Sequence, residues 1–207
     1  MSVLVMNYGE SGTGKSTGFR NFTDNEVAVI NVSGKPMPFR SGLKTLSSND
    51  YSIISKWLPK IKQPSIIIDD STYLMVDQFM SMAQVKGYDK YNVMAQSFFN
   101  LIETARHLSE DKIVYFIGHC EHSDDGREHF KTIGKMLDNY VTLEGKFTIV
   151  LKSVVKDGHY YYQTHNSGFD TVKSPLGMFE ADLIENDLKV VDDVIRDYWN
   201  IPRHTEE

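Results

Sequence analysis

One cysteine, Cys120, is all that the 207 residues contain. An internal disulfide is therefore excluded, and the composition fits a reducing compartment. No apolar stretch approaches the roughly 20 residues of a membrane-spanning helix. The first residues lack the basic n-region of a secretory signal, so a cytoplasmic location is expected. Positive charge is not in excess: 22 Lys and Arg face 28 Asp and Glu, a formal net charge of −6. That balance gives no overall nucleic-acid signature. The run His119-Cys120-x-His122 has no second Cys/His pair at a spacing that would complete a zinc site. Repeats and low-complexity tracts are missing as well. What remains is an ordinary globular composition, 41% apolar and 24% charged, with a length suited to a single domain over residues 1–207.

The charge is unevenly placed. Residues 31–62 carry Lys35, Arg40, Lys44, Lys56, Lys60 and Lys62 against Asp50 alone. From about residue 180 to 207 the chain is an acidic, helical segment in which only Lys189, Arg196 and Arg203 oppose the carboxylates. Such asymmetry marks either a polyanion-binding face beside an acidic tail or two solvated faces.

Residues 9–16 read Gly-Glu-Ser-Gly-Thr-Gly-Lys-Ser and follow the apolar run Val3-Leu4-Val5-Met6. This is the G-x-x-x-x-G-K-[ST] pattern of a phosphate-binding loop. Glycines at 9, 12 and 14 permit backbone angles that let successive N–H groups of Gly9, Glu10, Ser11, Gly12, Thr13, Gly14, Lys15, Ser16 and Thr17 wrap a triphosphate. Lys15 can reach the β- and γ-phosphates, and the Ser16 hydroxyl can ligate Mg²⁺. A helix over Lys15–Phe22 would turn its N-terminus to the anion. Glu10 is expected to face solvent.

Apolar runs predict strands over Val3–Asn7, Val27–Val32, Ser65–Asp69 and Lys112–Ile117. Helices are predicted over Tyr51–Ile61, with a bend or end at Pro59, and over Thr72–Gln84, Asn92–Leu108 and Asp187–Trp199; Lys131–Leu143 reads as part helix. Lys146–Lys156 and His159–His165 form a hairpin around Asp157-Gly158. The alternation argues an α/β fold with a mostly parallel central sheet flanked by helices and a C-terminal antiparallel hairpin.

Ile66-Ile67-Ile68-Asp69-Asp70 is a buried-type strand ending in carboxylates, the end where parallel sheets bind ligands. Asp69 would hold Mg²⁺, with a helix cap as its other reading. Asp70 either orients or deprotonates an attacking water or caps the next helix. His119 is either a reader of the γ-phosphate that helps position water or a strand-end histidine bonded to backbone. Tyr160-Tyr161-Tyr162 is read as sheet packing or as a surface that stacks on single-stranded bases.

On the loop at 9–16, Ile66–Asp70, Ile117-Gly118-His119-Cys120-Glu121 and Asp170–Phe179, the chain resembles the phage-encoded RecA-like ATPases with an AAA-type nucleotide-binding domain, associated with single-strand annealing and recombination. The resemblance spans roughly residues 3–200. It implies a RecA-like P-loop NTPase core, Mg²⁺-dependent ATP hydrolysis, oligomerisation on DNA and a recombination or single-strand-binding protein partner in the host cytoplasm. It assigns Gly14, Lys15, Ser16 and Thr17 to the phosphate site, Asp69 to magnesium and His119 to γ-phosphate sensing. It also lets Lys173 act in trans on a neighbour's ATP. The chain departs from the pattern after its second strand, where Asn31-Val32-Ser33-Gly34 stand in place of a glutamate base. Two other functions compete with the DNA-dependent ATPase: a non-catalytic nucleotide switch or helicase-loader-like partner protein, and a P-loop nucleotide kinase. The scattered arginines disfavour the kinase.

Overall fold

The computed structural model of the chain describes residues 1–134, 137 and 141–203. Its strands are β1 (Val3–Gly9), β2 (Val27–Asn31), β3 (Thr45–Ser47), β4 (Ser65–Asp69), β5 (Ile113–His122), β6 (Glu128–Phe130), β7 (Ile149–Lys156), β8 (His159–Gln163) and β9 (Leu183–Glu185). The helices are α1 (Tyr51–Trp57), α2 (Thr72–Ser81), α3 (Asp89–Arg106) and α4 (Leu188–Trp199). The sheet runs β3-β2-β4-β5-β1-β7-β8-β9, with β6 paired to the far end of β5. From β3 to β7 every pairing is parallel; β8 is antiparallel to both β7 and β9.

Period-2 alternation divides the sheet between two cores. Leu4, Met6, Tyr8, Ile66, Ile68, Val114 and Phe116 face the core under α1, α2 and α3, where Met94, Phe98, Leu101, Ile102 and Ala105 supply the α3 stripe. Val5, Ile67, Ile113, Tyr115 and Ile117 face the other core, closed by Phe19, Phe22, Leu188, Val191 and Ile195. Both faces being covered explains why these strands read as continuous apolar runs. Among the described residues, no helix is long and apolar enough to cross a membrane.

Several expectations change. The segment after the glycine-rich loop is a four-residue 3-10 helix, Ser16–Phe19, and not a helix over Lys15–Phe22. Phe19 and Phe22 are both buried, and a three-residue repeat places them on one side of a 3-10 turn. Asn21, Thr23 and Asp24 then end it; the Thr23 amide and hydroxyl each donate to Glu26 at 2.9 Å. So short an element has little macrodipole, which leaves the loop's own N–H groups and Lys15 to meet an anion. β5 does not stop at Ile117 but continues to His122, because Cys120, Glu121 and His122 pair with β6. Asp50 caps α1 by accepting from the amides of Ser52 and Ile53, and a 3-10 turn containing Pro59 follows. Within Lys131–Leu143, residues 135–136 and 138–140 lie outside the described residues.

At the N-terminal ends of the strands α4 is held by a buried polar knot. Arg196 donates through Nε to Asp192, through one terminal nitrogen to the carbonyls of Asp111 and Pro202, and through the other to the Pro64 carbonyl and Ser65 hydroxyl. Ser65 and Tyr115 each donate to the same Asp192 oxygen, at 2.6 and 2.9 Å.

Candidate functional site

The site lies at the C-terminal ends of the parallel strands, where crossovers to either side of β1 leave a crevice. β1 has β5 on one side and β7 on the other, and β4 lies beyond β5. Gly9 ends β1 where β7 comes close: a Cβ there would stand 2.6 Å from the Ser153 carbonyl. Gly12 and Gly14 have φ of +83° and +81°, which only glycine adopts without strain. The Thr13 hydroxyl donates to the Glu10 carbonyl at 2.8 Å and braces the bend. Ser11 and Gly12 are exposed at the tip. Glu10 is exposed too, yet its carboxylate lies beside the Cys120 thiol, which burial and then Glu10 push up to about 11.

Lys15 is buried and its ammonium donates to the carbonyls of Gly9 and Glu10 at 2.9 and 2.7 Å. Burial lowers its pKa, against the charges of Asp70, Cys120, Asp69 and Glu10. One residue on, the Ser16 hydroxyl donates to Asp69 Oδ1 at 3.0 Å. The loop and the end of β4, distant in sequence, thus meet at a hydroxyl and a carboxylate. Two hard oxygens of this kind suit Mg²⁺, which keeps several waters and takes few protein ligands.

Burial, and then the charge of Asp70, push the Asp69 carboxyl up to about 7, against the Ser16 hydroxyl that favours ionisation. A carboxyl that holds its proton more tightly when folded stabilises the fold at low pH. It loses that contribution as pH rises from the unfolded value of about 4 through the raised folded value. Without divalent cation, urea denaturation should therefore show wild type losing more stability than Asp69→Asn between pH 4 and pH 8. Parallel pH profiles would assign the loss to other groups.

Asp70 does not cap α2. Ser71 occupies the N-cap position, and its amide and hydroxyl both donate to the Ile117 carbonyl at 2.7 and 2.9 Å. Asp70 instead has a left-handed backbone, φ 59°, which turns its carboxylate toward His119 Nε2 at 3.7 Å and Lys35 Nζ at 4.0 Å. A strained non-glycine residue of this kind persists only where its surroundings hold it. His119 lies within β5 and is the register partner of Gly9. Burial and then the Lys15 charge lower its pKa, so its imidazole is neutral near pH 7. Its backbone amide, not its ring, takes the local hydrogen bond, donating to the Thr72 hydroxyl at 2.9 Å. The Tyr73 ring stands edge-on to the imidazole at 5.5 Å and under the Lys35 ammonium at 4.9 Å.

No protein-family model matches the chain, and no curated protein is significantly similar to it.

Lys15, Ser16, Asp69, Asp70 and His119 are thus gathered around one loop. Lys173 is not among them: its backbone pairs with Val150, and burial lowers the pKa of its ammonium against the charge of Glu144. Asn31, the register partner of Asp69, donates to the Lys35 carbonyl at 2.7 Å and accepts from the Gly34 amide at 2.9 Å, so it shapes the loop after β2. In the sequence Lys35 belongs to a basic stretch, and its place just past the C-terminal end of a parallel strand is the signal that marks it.

Proposed function

We propose that the chain is a Mg²⁺-dependent P-loop ATPase with a RecA-like core, whose turnover is coupled to single-stranded DNA in phage recombination or replication. The observation that carries this reading is the 3.0 Å contact between Ser16 and Asp69 beneath a loop whose buried Lys15, among the described residues, has only backbone carbonyls as hydrogen-bond partners. Such an ammonium is free to exchange those carbonyls for phosphate oxygens, a charge-assisted bond of greater strength. Ser16 and Asp69 would hold Mg²⁺, which supplies charge neutralisation at the phosphates. Neutral His119 can donate to a γ-phosphate oxygen or hold a water, and Asp70 beside it can accept that water's proton. The DNA part of the reading rests on the resemblance and on the basic 31–62 segment. Action of Lys173 on the ATP of a neighbouring subunit belongs to the same proposal and needs an oligomer.

A nucleotide switch with little turnover is the second reading, favoured by one observation: Asn31 stands at the end of β2 with its amide committed to the adjoining loop. ATP turnover measured with and without single-stranded DNA, across a salt series, separates the two. The ATPase reading expects stimulation by DNA that fades as salt rises, because phosphate contacts release counterions. Turnover indifferent to DNA would remove the coupling and leave the switch.

A further inference from the structure

We propose that the cleft beside the glycine-rich loop receives the base of the bound nucleotide, held by stacking on Tyr160 with little discrimination between adenine and guanine. The inference rests on the triphosphate reading of residues 9–16 and names what lies at the other end of that ligand. A cavity of about 520 Å³ opens between Thr17, Arg20, Tyr160, Glu185 and Asn186, a volume in the range of small-molecule sites. It adjoins the phosphate cradle. Thr17 follows Ser16 directly, and a Cβ on Gly14 would stand 2.8 Å from the Tyr160 ring. A triphosphate seated on the loop therefore has its nucleoside end within reach of this ring.

Tyr160 is well placed to be a platform. It comes from the β7–β8 hairpin, whose turn residues Asp157 and Gly158 both have positive φ, 52° and 78°. That two-residue turn fixes the register, with Lys156 opposite His159 and Val155 opposite Tyr160. Tyr160 is 48% exposed, which leaves it accessible from solvent.

The polar groups lining the cavity are committed to other partners, buried, or open to water, His159 being among the exposed ones. Arg20 donates to the carbonyls of Asn186 and Thr17 at 2.6 and 3.3 Å and lies 3.6 Å from Glu185. The Asn186 carboxamide borders the cavity and, among the described residues, has no partner at either polar atom, but the residue is only 2% exposed and packs against Gly14 and Gly18. The Glu185 side chain is 81% exposed, where water competes for its carboxylate. Stacking tolerates any base, since every base has a π-face.

Calorimetric titration of the full chain with Mg²⁺ and ATP, GTP or inorganic tripolyphosphate tests the inference on wild type, Tyr160→Ala and Tyr160→Phe. Wild type should bind ATP and GTP within a few-fold of each other and both more tightly than tripolyphosphate. Tyr160→Ala should weaken both nucleotides roughly 10-fold and leave tripolyphosphate unchanged; Tyr160→Phe should bind all three as wild type does. Tripolyphosphate bound as tightly as ATP would overturn the base site and leave the phosphate loop standing. Equal loss of all three ligands in Tyr160→Ala, or no loss, would also overturn it, as would ATP and GTP differing by roughly 100-fold in wild type. No binding of any of the three by wild type would overturn the triphosphate reading, and this inference with it.

Discussion

Lys15→Met should lower ATP turnover by a factor on the order of 10²–10³, the loss that follows removal of one preorganised group facing developing charge. The fold should survive the change. The Lys15 ammonium is buried, and burial is the largest influence on its pKa, in the direction that disfavours the charge. Methionine retains most of the alkyl stem while removing a charge that the interior disfavours. The carbonyls of Gly9 and Glu10 lose a donor, but Glu10 is at the exposed tip of the loop, where water can replace it. Thermal unfolding close to that of wild type, together with the lost turnover, is therefore expected. Turnover equal to wild type would remove the claim that this loop hydrolyses a nucleotide. A variant that unfolded would instead show that the ammonium holds the loop together.

The second large effect lies at the opposite end of the sheet. Arg196→Met should destabilise the chain by about 3–5 kcal/mol in urea denaturation, the loss typical of breaking a buried ion pair on one side. The pair is almost fully enclosed, with side-chain exposures of 4% and 2% for Arg196 and Asp192. Without the guanidinium, Asp192 would keep, among the described residues, the Ser65 and Tyr115 hydroxyls, and the carbonyls of Pro64, Asp111 and Pro202 would lose a donor. Replacing both partners, as Asp192→Leu with Arg196→Met, should recover much of the loss, because apolar residues carry no desolvation penalty. Nucleotide affinity of the folded double variant should match wild type, since the knot sits at the N-terminal strand ends. A single variant costing less than about 1 kcal/mol would show that water reaches Asp192 and that the knot is not closed.

Residue spacing alone located Lys15, Ser16 and Asp69, because a glycine-rich loop and a strand ending in a carboxylate are local patterns. It also located β1, β2, β4, the first part of β5 and the Asp157-Gly158 hairpin, each of which carries its own apolar run or turn signal. The three-residue strands could not be read that way. Thr45–Ser47, Glu128–Phe130 and Leu183–Glu185 have no apolar run, and each exists by pairing with a strand far away or across a loop. The length of β5 depends on β6 for the same reason. The orientation of Asp70 was equally hidden: it turns on a left-handed backbone that aspartate tolerates but does not dictate. Lys35 and Tyr160 reach the site from a loop and a hairpin tip, and only the assembled sheet reveals how near they come.

The central place of β1 has a consequence for how the chain is made. Val3 through Gly9 emerge from the ribosome well before their partners, Ile113–His119 on one side and Ile149–Lys152 on the other. Until β5 and β7 have been synthesised, this apolar strand has no neighbour to pair with and its loop has no floor. Contacts of such long sequence separation slow folding and leave the early segment open to wrong association. A ribosome-stalled chain ending at residue 140 should thus hold the complete G-x-x-x-x-G-K-S loop and still fail to retain nucleotide; competence arrives only once β7 has emerged.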